Sequence, residues 1–252
     1  MVEICMSKVE RVPSGIPGLD DMLYGGIPKG RVVLVVGGPG TGKTIFCAQF
    51  LVSGIRDYNE PGLFISLDES RHHIIREMAS FGWDIPELER RNMWAFTDIS
   101  PTRHLGGDVK TEKLAIGKRD FSLEAAMGEI RRSAKAISAK RIAVDPITSF
   151  IFQYPDIIQR RSVILELIEA LTLTGATTVI TTELRMTGLE RSVQLEEYLA
   201  HGVIILQTLQ IGKSATRVIQ IEKMRETPID TQMRPYRITE NGLEVYSRES
   251  VF

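Results

Sequence analysis

Residues 37–44 read "GGPGTGKT" and follow the apolar run "VVLVV" at 32–36. Glycine and proline extend neither a strand nor a helix well, but they let a tight loop turn its backbone N–H groups inward. The stretch fits G-x-x-x-x-G-K-[ST] from Gly37 through Thr44, directly after a buried-type strand and opening a helix, the setting the pattern requires. Such a loop is built for phosphate: its N–H groups and the helix N-terminus behind it supply positive potential. Lys43 is placed to reach β- and γ-phosphates as a point charge, and the Thr44 hydroxyl to ligate Mg²⁺. Gly38, Pro39, Gly40, Thr41, Gly42, Lys43, Thr44 and Ile45 are therefore the expected nucleotide-binding residues.

A magnesium-bound triphosphate needs an acidic anchor at the end of another buried strand, and "RIAVD" (141–145) supplies Asp145. With Thr44 it forms the expected metal pair. An attacking water needs a base near the last phosphate, and "ISLDES" (65–70) places Asp68 and Glu69 at the end of another candidate strand. Adjacent residues at a strand end face different ways, so one of the two is expected to point at the phosphate.

Outward from this centre, short apolar runs alternate with helical stretches. A helix is expected from Thr44 to Arg56. "LFISL" (63–67) forms a strand, and the helix after it is capped by Ser70 and ends before Gly82. "MWAF" (93–96) is a third apolar run, 122–138 a helix capped by Ser122, and 141–145 a strand. A helix with Ile157, Ile164, Ile168 and Leu171 on its apolar side ends near Gly175, followed by "TTVIT" (177–181). Apolar runs without alternation are strands buried on both faces, and helices between them make a mainly parallel α/β sheet. The C-terminal part differs: "GVIILQTLQ" (202–210) and "TRVIQIEKMR" (216–225) flank a short turn, and Asn241-Gly242 in "YRITENGLEVY" is a hairpin signal. Antiparallel strands are expected there. Residues 100–120 are the one long irregular stretch, read as a mobile or functional insertion in a single domain over 1–252.

The 252 residues are 43% hydrophobic and 25% charged with net charge −1, so no global basic field favours nucleic acid or an anionic membrane. Cys5 and Cys47 lack metal spacing, which fits a reducing cytoplasm, and Cys47 reads as a small buried hydrophobe. No apolar run approaches the roughly 20 residues of a membrane span, and the protein is expected to be soluble and cytoplasmic.

The chain resembles the KaiC branch of the RecA-like P-loop ATPases over nearly its whole length. The resemblance is carried by "VPSGIPGLDDMLYGGIPKGRVVLVVGGPGTGKTIFCAQFL", "LFISLDESRHHIIREMASFGWDI", "RIAVDPITSF" and "IEKMRETP". It implies ATP bound with Mg²⁺ between subunits of a ring, usually a hexamer. Paired acidic residues, usually Glu-Glu, act as base in that family; here Asp68-Glu69 shortens the first carboxylate by one methylene. The resemblance also implies a Lys-x-Arg from a late strand reaching into the neighbour's site, matched by Lys223 and Arg225. By alternation these two share one strand face, with Met224 turned into the packing. Pro146 stands where relatives usually carry Ser. Lys43, Asp68, Glu69, Lys223 and Arg225 are the expected catalytic set.

Other candidates read more plainly. His72 and His73, adjacent on a helix, cannot share a metal as an i, i+4 pair does, and Arg131-Arg132 and Arg160-Arg161 are helix charges. Residues 183–202 match where RecA-like rings carry a central-pore loop; Arg185 and Arg191 could touch nucleic acid or a protein there, but no aromatic precedes Tyr198 as a base-stacking platform. Three functions follow: a ring-forming regulatory ATPase of modest turnover, with autokinase activity open; a RecA/RadA-type DNA recombination or repair ATPase; and an ATP-binding scaffold of a larger machine that barely hydrolyses.

Overall fold

The computed structural model describes residues 9–100, 123–187, 190–212 and 214–251. The irregular stretch from 101, the Ser122 cap and Cys5 lie outside them. The chain enters through β1 (Arg11–Val12) and β2 (Ile27–Pro28), an antiparallel pair around the short α1 (Leu19–Met22). The expected alternation follows: β3 (Val32–Gly37), α2 (Lys43–Tyr58), β4 (Gly62–Ser66), α3 (Arg71–Ala79), α4 (Ile85–Arg90), β5 (Trp94–Asp98), α5 (Leu123–Ala136), β6 (Arg141–Asp145), α6 (Thr148–Ile151), α7 (Ile157–Leu173) and β7 (Thr177–Glu183). A small hairpin of β8 (Arg185–Thr187) and β9 (Glu190–Ser192), then α8 (Leu195–Leu199), lead to β10 (Gly202–Ile211), β11 (Ser214–Met224), β12 (Arg234–Thr239) and β13 (Gly242–Val245).

Nine of these strands form one sheet in the order β13-β12-β11-β10-β3-β7-β6-β4-β5. From β10 to β5 every pairing is parallel, and β11, β12 and β13 continue antiparallel. This is the RecA-like arrangement: a parallel sheet covered by helices on both faces, with an antiparallel extension. Alternation within β3 shows how one apolar run serves both faces. Val33 and Val35 pack with α2, α3 and the C-terminal strands, whereas Val32, Leu34 and Val36 pack with α5 and α7. Each such side chain contributes on the order of 1.5–3 kcal/mol of burial.

Several boundaries and faces differ from the sequence reading. The α2 helix opens one residue earlier, at Lys43. Ser70 caps α3 as expected, its hydroxyl accepting from His73 N at 3.3 Å. Ile157 is 57% exposed, because it occupies the first turn of α7, beyond the edge of the sheet that Ile164, Ile168 and Leu171 cover. In the C-terminal hairpin Thr239 pairs with Gly242, so the two loop residues are Glu240 and Asn241, and Gly242, at φ +108°, begins the returning strand. Its position is fixed by packing: a Cβ there would lie 2.4 Å from Gln49 Oε1.

Arg141, the first residue of the strand that ends at Asp145, is fully buried and is structural. Its Nε donates to Glu60 at 2.6 Å and its Nη1 to the carbonyls of Pro13 and Phe50, both at 2.9 Å, with Phe50 and Tyr58 rings over the guanidinium. It thereby ties the entry segment, α2 and β6 together. Gly54 is the residue that admits it, since a Cβ there would lie 2.3 Å from Arg141 Nε.

Candidate active site

Because β3, β4, β6 and β7 are parallel, their carboxyl ends open on one side of the sheet, where α/β sheets place ligands. Gly37 pairs with Glu183 there, and Ser66 with Asp145. Gly37 leaves β3 into the loop, and Gly40 and Gly42 both take positive φ, at +71° and +88°. Gly42 is the N-cap residue of α2; no side chain caps the helix and its first turn holds no acidic residue. The backbone donors at this end are thus left for an anion, which the glycine pattern anticipates.

The loop is supported from within and behind. Thr41 Oγ1 donates to Gly38 O at 2.7 Å, and Tyr236 on β12 donates its hydroxyl to Thr41 O at 2.7 Å. Ile238 closes under Gly42, where a Cβ would meet its Cδ1 at 3.0 Å. Lys43 Nζ donates to the loop carbonyls of Gly37 and Gly38 at 2.9 and 3.0 Å. Burial lowers its pKa, opposed by the negative charges of Asp145 and Glu183. Ile45 is buried in the core, so only its backbone can serve a nucleotide.

Thr44 and Asp145, 101 residues apart in sequence, meet directly: Thr44 Oγ1 donates to Asp145 Oδ2 at 2.7 Å. Thr181 Oγ1 donates to the other oxygen, Oδ1. Asp145 is 5% exposed, and burial raises its pKa, opposed by the Thr181 and Thr44 hydrogen bonds and by Lys43, and increased by Asp68. Among the described residues this buried carboxylate is held by hydroxyls beside one lysine and is short of positive charge, which a divalent cation would supply. The donor set, a hydroxyl and a carboxylate oxygen, suits Mg²⁺. The peptide bond from Asp145 to Pro146 is cis.

Asp68 and Glu69 follow the end of β4 beside Asp145, and they have different neighbours. Asp68 is exposed and accepts a hydrogen bond from Ser149 Oγ of α6. Glu69 lies toward Glu77 of α3, whose pKa is raised by burial and then by Glu69 and Asp145. Thr181, Ser149, Glu183, Glu77 and Tyr236 are therefore site residues that motif reading missed. Only the polar end of "TTVITTE" hinted at one of them, since threonines closing a buried apolar strand need partners.

Lys223 and Arg225 are not brought to this site. Lys223 pairs with Val203, which lies beside Leu34, three residues before Gly37 and so about 10 Å toward the other end of the sheet, two strands away. The strand ends at Met224, which is buried; Arg225 stands in the following turn, so strand alternation does not carry the two cations to a shared face. Lys223 Nζ donates to the carbonyls of Glu197, Tyr198 and Ala200 at 3.3, 3.2 and 2.6 Å. Within 183–202, β8, β9 and α8 lie between the end of β7 and the start of β10, and Arg191 is paired with Glu197 and Glu222. Arg185 lies over the Phe152 ring at 5.1 Å. His72 and His73 are both exposed, and Cys47 is buried. Among the described residues no helix is long and apolar enough to cross a membrane.

The sequence model of the KaiC ATPase family matches residues 12–250. A protein of Aeropyrum pernix designated UPF0273 is 36% identical over 239 residues, covering 94% of each chain. The circadian clock oscillator protein KaiC of Parasynechococcus marenigrum is 34% identical over 240 residues, 95% of this chain but 45% of that protein, so the chain spans about half its length. The crystal structure of a KaiC-like protein from Pyrococcus horikoshii superposes with a TM-score of 0.80 at 38% identity, covering 95% of this chain and 100% of that one.

Proposed function

The chain belongs to the KaiC family of ATPases, and we propose that it binds Mg²⁺-ATP through residues 38–45 and Asp145 and hydrolyses it slowly, as a homo-oligomeric ring in the cytoplasm. The observation that carries this reading is the 2.7 Å contact of Thr44 with Asp145 beside Lys43, at the shared carboxyl ends of β3 and β6. In this reading Lys43 turns from the Gly37 and Gly38 carbonyls to the β- and γ-phosphates. Thr44 and Asp145 hold the magnesium, which when bound offsets phosphate charge. Asp68 and Glu69 orient or deprotonate the attacking water, with Ser149 steadying Asp68.

The charge that develops on the transferred phosphoryl group then needs a further cation. Lys223 and Arg225 are too far from their own phosphate loop to provide it, which supports their use in the neighbouring subunit's site and a closed ring, with a hexamer as the expected form. A single ATPase domain over 1–252 is part of the same proposal. Arg191 is already neutralised by Glu197 and Glu222, which weakens the recombinase alternative.

The deciding measurement is calorimetry of ATP binding with and without Mg²⁺. Lys43→Ala should weaken affinity by about 100-fold, roughly the value of losing a charge-assisted contact to phosphate. Unchanged affinity would overturn the phosphate-loop reading.

A further inference from the structure

Helix α8 is tied to both ends of the molecule's chemistry. On one side, Thr181 and Thr182 are consecutive on β7 and face opposite ways. Thr181 holds Asp145, and Thr182 Oγ1 donates to Glu196 Oε1 at 2.9 Å. Thr148, three residues beyond Asp145, joins the same cluster: its Oγ1 lies 3.4 Å from Thr182 Oγ1 and accepts from Glu183 N at 3.3 Å. Glu183 in turn faces Lys43. On the other side, the last carbonyls of α8 accept the Lys223 ammonium, the shortest contact being 2.6 Å to Ala200 O. Glu197 adds an N-terminal clamp, accepting from Gln194 N at 2.8 Å and pairing with Arg191.

Glu196 is 6% exposed, and among the described residues the one hydrogen bond to its carboxylate comes from the Thr182 hydroxyl, with no cation paired to it. A buried carboxylate so held is costly and would be a poor choice for packing alone. With only five residues, α8 is about 7 Å long and has no room to absorb a shift internally. A displacement of the Asp145–Thr148 corner or the Thr181–Thr182 strand end is therefore passed to Lys223.

We propose that Glu196 is a positioning residue: it docks α8 on the strand end beside the phosphate site and so sets where Lys223 and Arg225 stand for the next subunit. The inference rests on the reading that these two cations act in the neighbour's site. It links the state of one subunit's phosphate pocket to the cation that subunit presents, which is a physical route for communication around a ring.

The test uses intact rings. Glu196→Ala should keep ATP affinity within about twofold and keep the assembly state, while turnover falls about tenfold. Thr182→Val, which removes the donor and preserves shape, should do the same. Glu196→Gln, which still accepts from Thr182, should stay near the parent. The decisive arm mixes Glu196→Ala subunits with Lys43→Ala subunits, whose Lys223 and Arg225 are intact: turnover should recover in the mixture. A matched mixture of Lys43→Ala with Arg225→Ala subunits tests the underlying reading separately. If that control recovers activity and the Glu196→Ala mixture does not, Glu196 acts on its own site or on folding, and the proposal is overturned. If the control also fails, the cations do not act across subunits and both readings fall. Parental turnover in both Glu196→Ala and Thr182→Val would likewise overturn the proposal.

Discussion

At the carboxyl ends of the parallel strands, Asp145 and Glu183 lie near Lys43, and Asp68 lies near Asp145; at the opposite end, Arg31, Lys223 and Arg225 gather around one histidine, His201. Among the described residues at these two centres, carboxylates outnumber cations at the first, the acidic end, and cations outnumber carboxylates at the second, the basic end. Within the basic end, Arg31 pairs with Glu226 and Lys223 spends its ammonium on backbone carbonyls, so the balance is local and partial. A surface whose two ends carry opposite deficits favours head-to-tail contact between copies, and such contact closes into a ring when the rotation permits. The contrast also separates two ways of holding charge. Asp145 is fixed by side-chain hydroxyls from α2 and β7, whereas Lys223 is fixed by backbone carbonyls at the end of a five-residue helix.

The largest effect should come from emptying the acidic end of its water-directing carboxylates. Replacing Asp68 and Glu69 together by Asn and Gln should lower phosphate release by about 10²–10⁴-fold, with ATP affinity preserved, as measured by release assay and calorimetry side by side. Because Asp68 is held by Ser149 while Glu69 lies toward Glu77, the single variants should differ, and the one with the greater loss names the base. A double variant with full turnover would break the comparison, since the acidic end would then serve only to bind.

A smaller effect should follow from loosening Asp145 without removing it. Thr181→Val deletes one of the two hydroxyl bonds that oppose the effect of burial on this carboxylate, leaving its charged form less favoured. The magnesium concentration needed for half-maximal nucleotide binding should rise about tenfold, the lower range for losing a supporting group around a metal site. Binding without magnesium should hardly change. Equal loss in both conditions would mean that Thr181 supports the fold and not the carboxylate.

The acidic end was legible in the sequence because its parts are local: a glycine loop must follow a strand and open a helix, and Asp145 must end an apolar run. Strand, helix and cap positions followed for the same reason, down to Ser70. What stayed hidden depends on contacts between distant segments. Glu196 and Glu197 belong to no motif, yet both are buried, because only the folded chain sets Thr182 and Arg191 against them. Arg141 read as a flank of the Asp145 strand, and nothing local announces that Gly54 makes room for it. Ile157 fits a helical stripe, but periodicity does not say where the sheet beneath the helix stops. The placement of Lys223 and Arg225 depends on where β11 ends, which no pattern in "IEKMRETP" marks.

The smallest effect concerns the basic end and pH. His201 Nδ1 accepts from the Val32 N–H at 3.0 Å, so the imidazole must be neutral at that nitrogen for the bond to exist. Burial lowers its pKa below the ordinary 6.5, and the positive charges of Arg31, Arg225 and Lys223 lower it further, opposed by Glu226. A group that holds its proton less tightly folded than unfolded costs nothing well above 6.5. As pH falls through that value the unfolded chain gains protons first and stability declines. The melting temperature should therefore drop between pH 7.5 and 5.5, and added salt should soften the drop by screening the three cations. His201→Asn gives the comparison: its side-chain oxygen still accepts from Val32 and carries no titrating proton, so the decline should be visibly shallower. Turnover should follow the same trend, because Arg225 N donates to His201 O at 3.0 Å and the strand end that carries the cations is anchored there. If His201→Asn melts with the same pH dependence as the parent, the basic end is insensitive to the protonation of His201.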